Sequence, residues 1–113
     1  MSDDVVQLYD EADRLKTEGK LDEAVAKLQE TLAIDENYAL AHSALSVILQ
    51  RQDQHEQAVK HAQRVCELEP NDPFSFTAMS VTFQRAYAGT NNMEYIRLAE
   101  DAMERSRQLS QGM

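Results

Sequence analysis

The sequence predicts an all-α chain, an α-solenoid built from three antiparallel helix pairs, and three observations carry that prediction. Two stretches run in register 34 residues apart, from Gly19 through Ala24 and Leu28 to the turn at Asp35-Glu36-Asn37, and from Asp53 through Ala58 and Ala62 to Glu69-Pro70-Asn71. A period of that length with helical patterning is one helix-turn-helix unit, which cannot bury its apolar face alone and must stack on its neighbour. Small residues recur in register at Ala24 and Ala58, where helices need to approach closely. Finally, a stack of three such pairs takes up nearly all of the 113 residues, leaving no room for a separate catalytic domain.

The elements follow from pattern and punctuation. A first helix over about residues 4–17 carries Val5, Leu8, Ala12 and Leu15 at helical spacing behind Asp3 and Asp4, acidic residues that suit a helix N-terminus, and Gly19 ends it. A second, about 21–34, presents Leu21, Ala24, Val25, Leu28, Leu32 and Ile34 and stops in the polar turn at Asp35. The pair about 38–51 and 55–68 repeats this, with Ala41, Leu45, Ile48 and Leu49 facing Ala58, Ala62, Val65 and Leu68, until Pro70 forbids continuation. Asp72-Pro73 reads as an N-cap followed by proline at the first helical position, starting a fifth helix that runs to about Ala88. Gly89-Thr-Asn-Asn92 is expected to break it, and a sixth helix over about 93–109 aligns Ile96, Ala99, Met103, Ser106 and Leu109 before a tail from Ser110 that should fray. Residues 1–113 thus form one domain, with repeats at about 5–38, 39–72 and 73–110.

Charge narrows the partner class. The formal net charge is −9, and residues 1–38 hold eleven Asp/Glu against four Lys/Arg, a net of −7. Nucleic acid and anionic membranes, which need clustered cations, are poor partners for such a chain, and a neutral or basic protein or peptide is favoured. No apolar run approaches the length of a membrane span, and the Met-Ser-Asp-Asp start lacks the basic residues of a secretory signal, so a cytoplasmic location is expected. The single Cys66 sits in helical pattern beside Val65 and Leu68 and reads as a buried thiol, with a reactive one as the alternative.

Aligned at this period, the chain resembles tetratricopeptide repeats. Leu8, His42 and Phe76 fall where that family prefers a large aromatic, Ala12, Ser46 and Ser80 where it has a small residue, and Leu15, Leu49 and Phe83 where it has a bulky one. Ala24 and Ala58 take its small packing position, and Pro70 its terminal proline. The resemblance implies a right-handed superhelix. Three departures stand out. Glu36 replaces a proline, and Glu11 stands where Leu45 and Met79 follow, on a face expected to be solvated. Phe83 and Ala99 lie 16 residues apart where Leu15–Ala24 and Leu49–Ala58 lie nine apart, an insertion of seven placed at about 86–93. Two added helical turns would absorb it, so that the fifth helix overhangs the stack. The insertion is then either a neutral change in loop length or a lip presenting Tyr87 to a ligand.

In the family, the first helices of successive repeats line the inner curve, which implies a groove here. Its rows are Val6, Leu40 and Phe74; Tyr9, Ser43 and Thr77; Asp13, Val47 and Val81; and Lys16, Gln50 and Gln84. Ala44, Val47, Ala78 and Val81 would form a small apolar centre, and Gln50, Arg51, Gln84 and Arg85 a polar edge, suited to a peptide segment of a partner protein. Ordinary solvated helix surface is the plain alternative. Relatives that clamp the C-terminal carboxylate of heat-shock chaperones use Lys, Asn and Arg at places held here by Tyr9, Asp13, Ala44, Phe74 and Ala78, so tight binding of such tails is not expected.

Catalysis, cofactor, small-molecule substrate and metal are all expected to be absent. The chain carries no His-Glu-x-x-His, Gly-rich phosphate loop or Gly-x-Ser-x-Gly, and the best metal candidates, His42, His61 and Cys66, read better as core, with the His42 ring standing in for the family's aromatic. The competing functional reading is self-assembly. The sixth helix must cap the stack, and Tyr95, Leu98 and Ala102 leave apolar gaps among its charges through which a homodimer would form. A third reading makes the chain a piece of a larger protein whose neighbour covers one end.

Overall fold

The computed structural model describes the backbone of residues 2–112 and the side chains of residues 4–112. Six helices follow in order: α1 Ser2–Thr17, α2 Leu21–Ile34, α3 Ala39–Arg51, α4 His55–Leu68, α5 Pro73–Thr90 and α6 Glu94–Gln111. No strand occurs among the described residues, and the helices pair as α1–α2, α3–α4 and α5–α6 in the expected α-solenoid. The first helix begins earlier than expected, so Asp4 lies within it; the side chain of Asp3 lies outside the described residues. At the other end, Ser110 and Gln111 are helical, and Met113 lies outside the described residues.

Each hairpin turns on one residue in the left-handed region: Gly19 (φ 83°), Asp53 (φ 62°) and Asn91 (φ 62°). Gly19 and Asp53 occupy the same place in the repeat, but only glycine adopts that conformation without steric cost. The expected cap at the start of α5 is present, the Asp72 side chain accepting from the Phe74 N–H at 2.9 Å with Pro73 in the first turn.

Packing falls into two clusters. The first joins Ala12, Leu15, Ala24, Leu28, Ala41, Leu45, Ile48, Leu49 and Ala58 across the first two repeats, and the second gathers Val59, Phe83, Ala86, Ala99 and Ala102 around the third. Ala24, Ala41 and Ala58 are completely buried, so the alanines of the repeat are the points of closest helix approach. Leu28 and Leu45 fill the space beside them, and truncating either to alanine would cost about 2–5 kcal/mol. Glu11, expected on a solvated face, is half-buried and pairs with Lys27 at 3.4 Å.

The insertion lengthens both helices of the third hairpin. α5 continues seven residues past Phe83 where α3 continues two past Leu49, and α6 has five residues ahead of Ala99 where α4 has three ahead of Ala58. Five of the seven inserted residues therefore extend α5 and two extend α6, and both connecting turns stay at three residues. The expected break at Gly89 is corrected accordingly: Gly89 and Thr90 are helical, and the helix ends at Asn91. Gly89 is required by a close approach instead. A Cβ there would lie 2.7 Å from Cδ2 and 2.9 Å from Cε1 of the His55 ring, and closer still to Nε2. The added turn of α5 thus lies across the first residue of α4.

Candidate functional site: the cleft between α3 and α5

Equivalent gaps between successive first helices are filled differently in the two halves of the stack. Between α1 and α3, Tyr9, Ala12, Asp13, Lys16, Leu28, Ala44 and Ile48 leave about 10 Å³. Between α3 and α5 an open cleft of about 360 Å³ remains. Ile48, 1% exposed, plugs the first gap, and its counterpart one repeat later is Thr82. A threonine fills less space and also takes hydrogen bonds. Its Oγ1 accepts from Gln50 Nε2 at 3.1 Å, donates to the Ala78 carbonyl at 3.1 Å and lies 3.4 Å from Ser46 Oγ. The cleft therefore has a satisfied polar floor of Ser46, Gln50 and Thr82 between apolar walls that include Val47, Ala78, Met79 and Val81.

The expected groove residues divide into four places. Ser43, Val47, Gln50, Arg51, Ala78, Val81 and Arg85 line this cleft together. Tyr9, Asp13 and Ala44 sit at the closed α1–α3 gap, where the Tyr9 ring meets Tyr38 edge-on at 6.0 Å and burial, then Asp13, raises its phenol pKa. Val6, Leu40 and Phe74 are exposed in the N-terminal halves of α1, α3 and α5. Thr77 and Gln84 turn toward the far end of the stack, Thr77 Oγ1 lying 2.7 Å from Ser106 Oγ and Gln84 donating to Ser80 Oγ at 3.2 Å.

Tyr87 is not at a lip of the cleft. It lies half-buried at the end of the stack in a separate cavity of about 310 Å³, with Gln84, Ile96, Ala99 and Met103. Tyr95 and Leu98, expected as apolar gaps on an exposed face, are half-buried and Ala102 is buried, and Leu98 and Ala102 line a surface cavity of about 270 Å³ with Phe76 and Met79. The Tyr95 ring stacks on Phe83 at 5.9 Å, Ala102 is 4% exposed, and Leu98 packs against the same cluster. Sequence reasoning missed Thr82, Ser46, Met79, Ala62, Val65 and Ser75 as cleft-lining residues. One signal was available: Thr82 breaks the apolar register set by Ile48.

Two surface properties mark the cleft. Among the described residues the large exposed hydrophobics number seven, and five of them, Val6, Leu40, Val47, Phe74 and Val81, lie on the first helices, with Phe74 80% exposed. The rim is also basic. Among the described residues, Arg14, Arg64, Arg97 and Arg107 are held by carboxylates and Arg105 lies over the Phe76 ring, whereas Arg51 and Arg85 have no carboxylate within ion-pairing distance.

His42, His61, Arg64 and Cys66 make internal contacts. His42, 4% exposed, donates from Nε2 to the Glu36 carbonyl at 2.8 Å, which leaves its Nδ1 to accept from His61 Nδ1 at 2.9 Å. Burial, then the neighbouring His42, lowers the pKa of His61. Arg64 binds Glu36 and Asn37, closing the turn over this pair. Cys66 donates to the Ser75 carbonyl at 3.3 Å, and burial pushes its thiol up to about 11, far from a reactive thiolate. No cluster of three metal-ligating side chains occurs among the described residues, and no described helix is long and apolar enough to cross a membrane.

Stacked helix hairpins with an open cleft on the first-helix face define a helical-repeat fold. A family model described as TPR repeat matches residues 12–53, so this part of the chain is similar to tetratricopeptide repeats. Solved structures share the fold: a chain of the CopN-Scc3 complex matches with a TM-score of 0.82 at 18% identity, covering 100% of this chain and 62% of that one. The present chain thus spans less than two thirds of that relative. No curated protein matches.

Proposed function

We propose that the chain is a non-catalytic protein-interaction module that holds a peptide segment of a partner protein in the cleft between α3 and α5. The observation that carries this reading is a preformed cavity of about 360 Å³ lined by the exposed Val47 and Val81, with Leu40 and Phe74 exposed nearer the starts of the same two helices. Exposed apolar side chains gathered at one concavity mark a binding surface, while scattered ones do not. Ser43, beside the satisfied floor, is offered to the backbone of a bound segment, and the walls take its side chains. The family's general use as protein-interaction modules and the occurrence of this fold in a chain of the CopN-Scc3 complex agree with the reading. The test is selection of binders from a random-peptide display library on the wild type and on Val47→Glu. Peptides that Val47→Glu rejects, with its melting temperature unchanged, support the proposal. Binders indifferent to Val47→Glu refute it.

Self-assembly is the second reading, and it now rests on a different surface. With Tyr95 and Leu98 packed in part against the third-repeat cluster, the end cavity at Tyr87, Ile96 and Met103 is where a second copy would stack. Light scattering on the wild type and on Met103→Glu separates the two: a mass near 12.8 kDa at all concentrations leaves the cleft as the binding surface, whereas a dimer abolished by Met103→Glu assigns the end cavity to assembly.

A further inference from the structure

We propose that the segment bound in the cleft carries an Asp or Glu side chain next to its apolar anchor, and that Arg51 and Arg85 select for that carboxylate. The inference rests on the cleft reading above and adds a ligand chemistry to it. The chain has 20 carboxylates against 11 Lys and Arg, so a surface arginine has many partners to find. Four of the seven arginines find a carboxylate and a fifth lies over Phe76, yet the two that find neither among the described residues line one cavity. They occupy the same place in successive repeats, 34 residues apart, on adjacent helices that run in the same direction.

Two cations on one rim repel each other, and a carboxylate set between them relieves that repulsion while accepting charge-assisted hydrogen bonds from both guanidinium forks. Arg51 ends α3, where the helix dipole favours a cation, but Arg85 stands five residues before the end of α5 and gains little from that effect. Its placement is accounted for by a ligand. The neighbouring walls, Val47 and Val81, are 41% and 38% exposed and form the contact for an apolar side chain one or two positions along the segment. The net charge of −9 acts at longer range: it draws in a partner that is neutral or basic as a whole, while the rim decides which short segment docks.

The test uses the same random-peptide display library on wild type, Arg51→Gln/Arg85→Gln and Val47→Glu, followed by titration of one synthetic peptide that the wild type selects. The expected result is an apolar residue with Asp or Glu at fixed spacing. The double Gln variant should bind that peptide on the order of tenfold to a hundredfold more weakly. The peptide's amide analogue, Asp→Asn or Glu→Gln, should bind wild type and double variant alike. Peptides that need Val47 but show no acidic preference, and that bind the double variant equally well, overturn the inference and leave the cleft reading standing. Peptides indifferent to Val47→Glu, or the absence of any binder, remove the cleft reading and the inference together.

Discussion

Substituting Gly89 by alanine probes the contact that ties the lengthened third hairpin to the second repeat. In an exposed helix the exchange is favourable by about 0.8–1.0 kcal/mol, because alanine gives up less backbone freedom. Here the new Cβ would lie within 2.9 Å of three atoms of the His55 ring, whose side chain is only 12% exposed. Expelling a packed ring costs about 1–3 kcal/mol, so Gly89→Ala should lose the helix gain and be net destabilising by up to about 2 kcal/mol. Removing the ring changes the sign: in a His55→Ala background the helix gain is left unopposed, and Gly89→Ala should stabilise by about 0.5–1 kcal/mol. Urea unfolding followed by circular dichroism measures all four corners of the cycle, provided that the slopes agree. If Gly89→Ala stabilises both backgrounds equally, the added turn of α5 does not lie against α4 as described.

Three further expectations follow from single contacts. Gly19→Ala forces a side chain into φ 83° with nothing within 4 Å to clash, so its cost is conformational, about 1 kcal/mol by urea unfolding; a neutral result would mean that the first turn relaxes. Thr82→Ile restores the register residue of the closed gap, and it should shrink the cleft and weaken any peptide that needs Val47; unchanged binding would show that the floor is not part of the site. His61 titrates below its ordinary value of 6.5 because it is half-buried, and then because His42 lies beside it, with Glu36 and Arg64 facing the pair. The unfolded chain then binds the proton more tightly, so this contribution to stability is fully present above about pH 6.5 and is lost as the pH falls toward the folded-state pKa. His61→Gln should flatten the stability profile across that interval, and an unchanged slope would assign the titration elsewhere.

The repeat architecture was legible because its signals are local and redundant: alanines in register, a glycine or proline at the turns, and apolar spacing in each helix all agree. The expected break at Gly89 went astray for a physical reason. Glycine is read as a helix terminator, but here the space of its missing Cβ is taken by His55 from another repeat, a contact with no local signature. The faces of α6 were ambiguous in a similar way. Both its sides carry apolar residues, and only the stack decides that Tyr95, Leu98 and Ala102 meet Phe83 while Ile96 and Met103 line the end cavity. For the cleft, the rows of first-helix residues were readable by register, but openness was not, since it depends on the volume left between two helices. Thr82 in place of Ile48 was the available clue, and its weight becomes clear only when Gln50 and Ser46 are seen to meet it.

Amide chemical-shift mapping with a library-selected peptide tests the central claim most directly, because it locates the contact without altering the protein. Shifts concentrated at Ser43, Val47, Gln50, Val81, Thr82 and Arg85 are the expected result and place the segment between α3 and α5. Shifts centred instead on Tyr87, Ile96 and Met103, with the α3 amides unmoved, would contradict the account and make the end of the stack the binding surface.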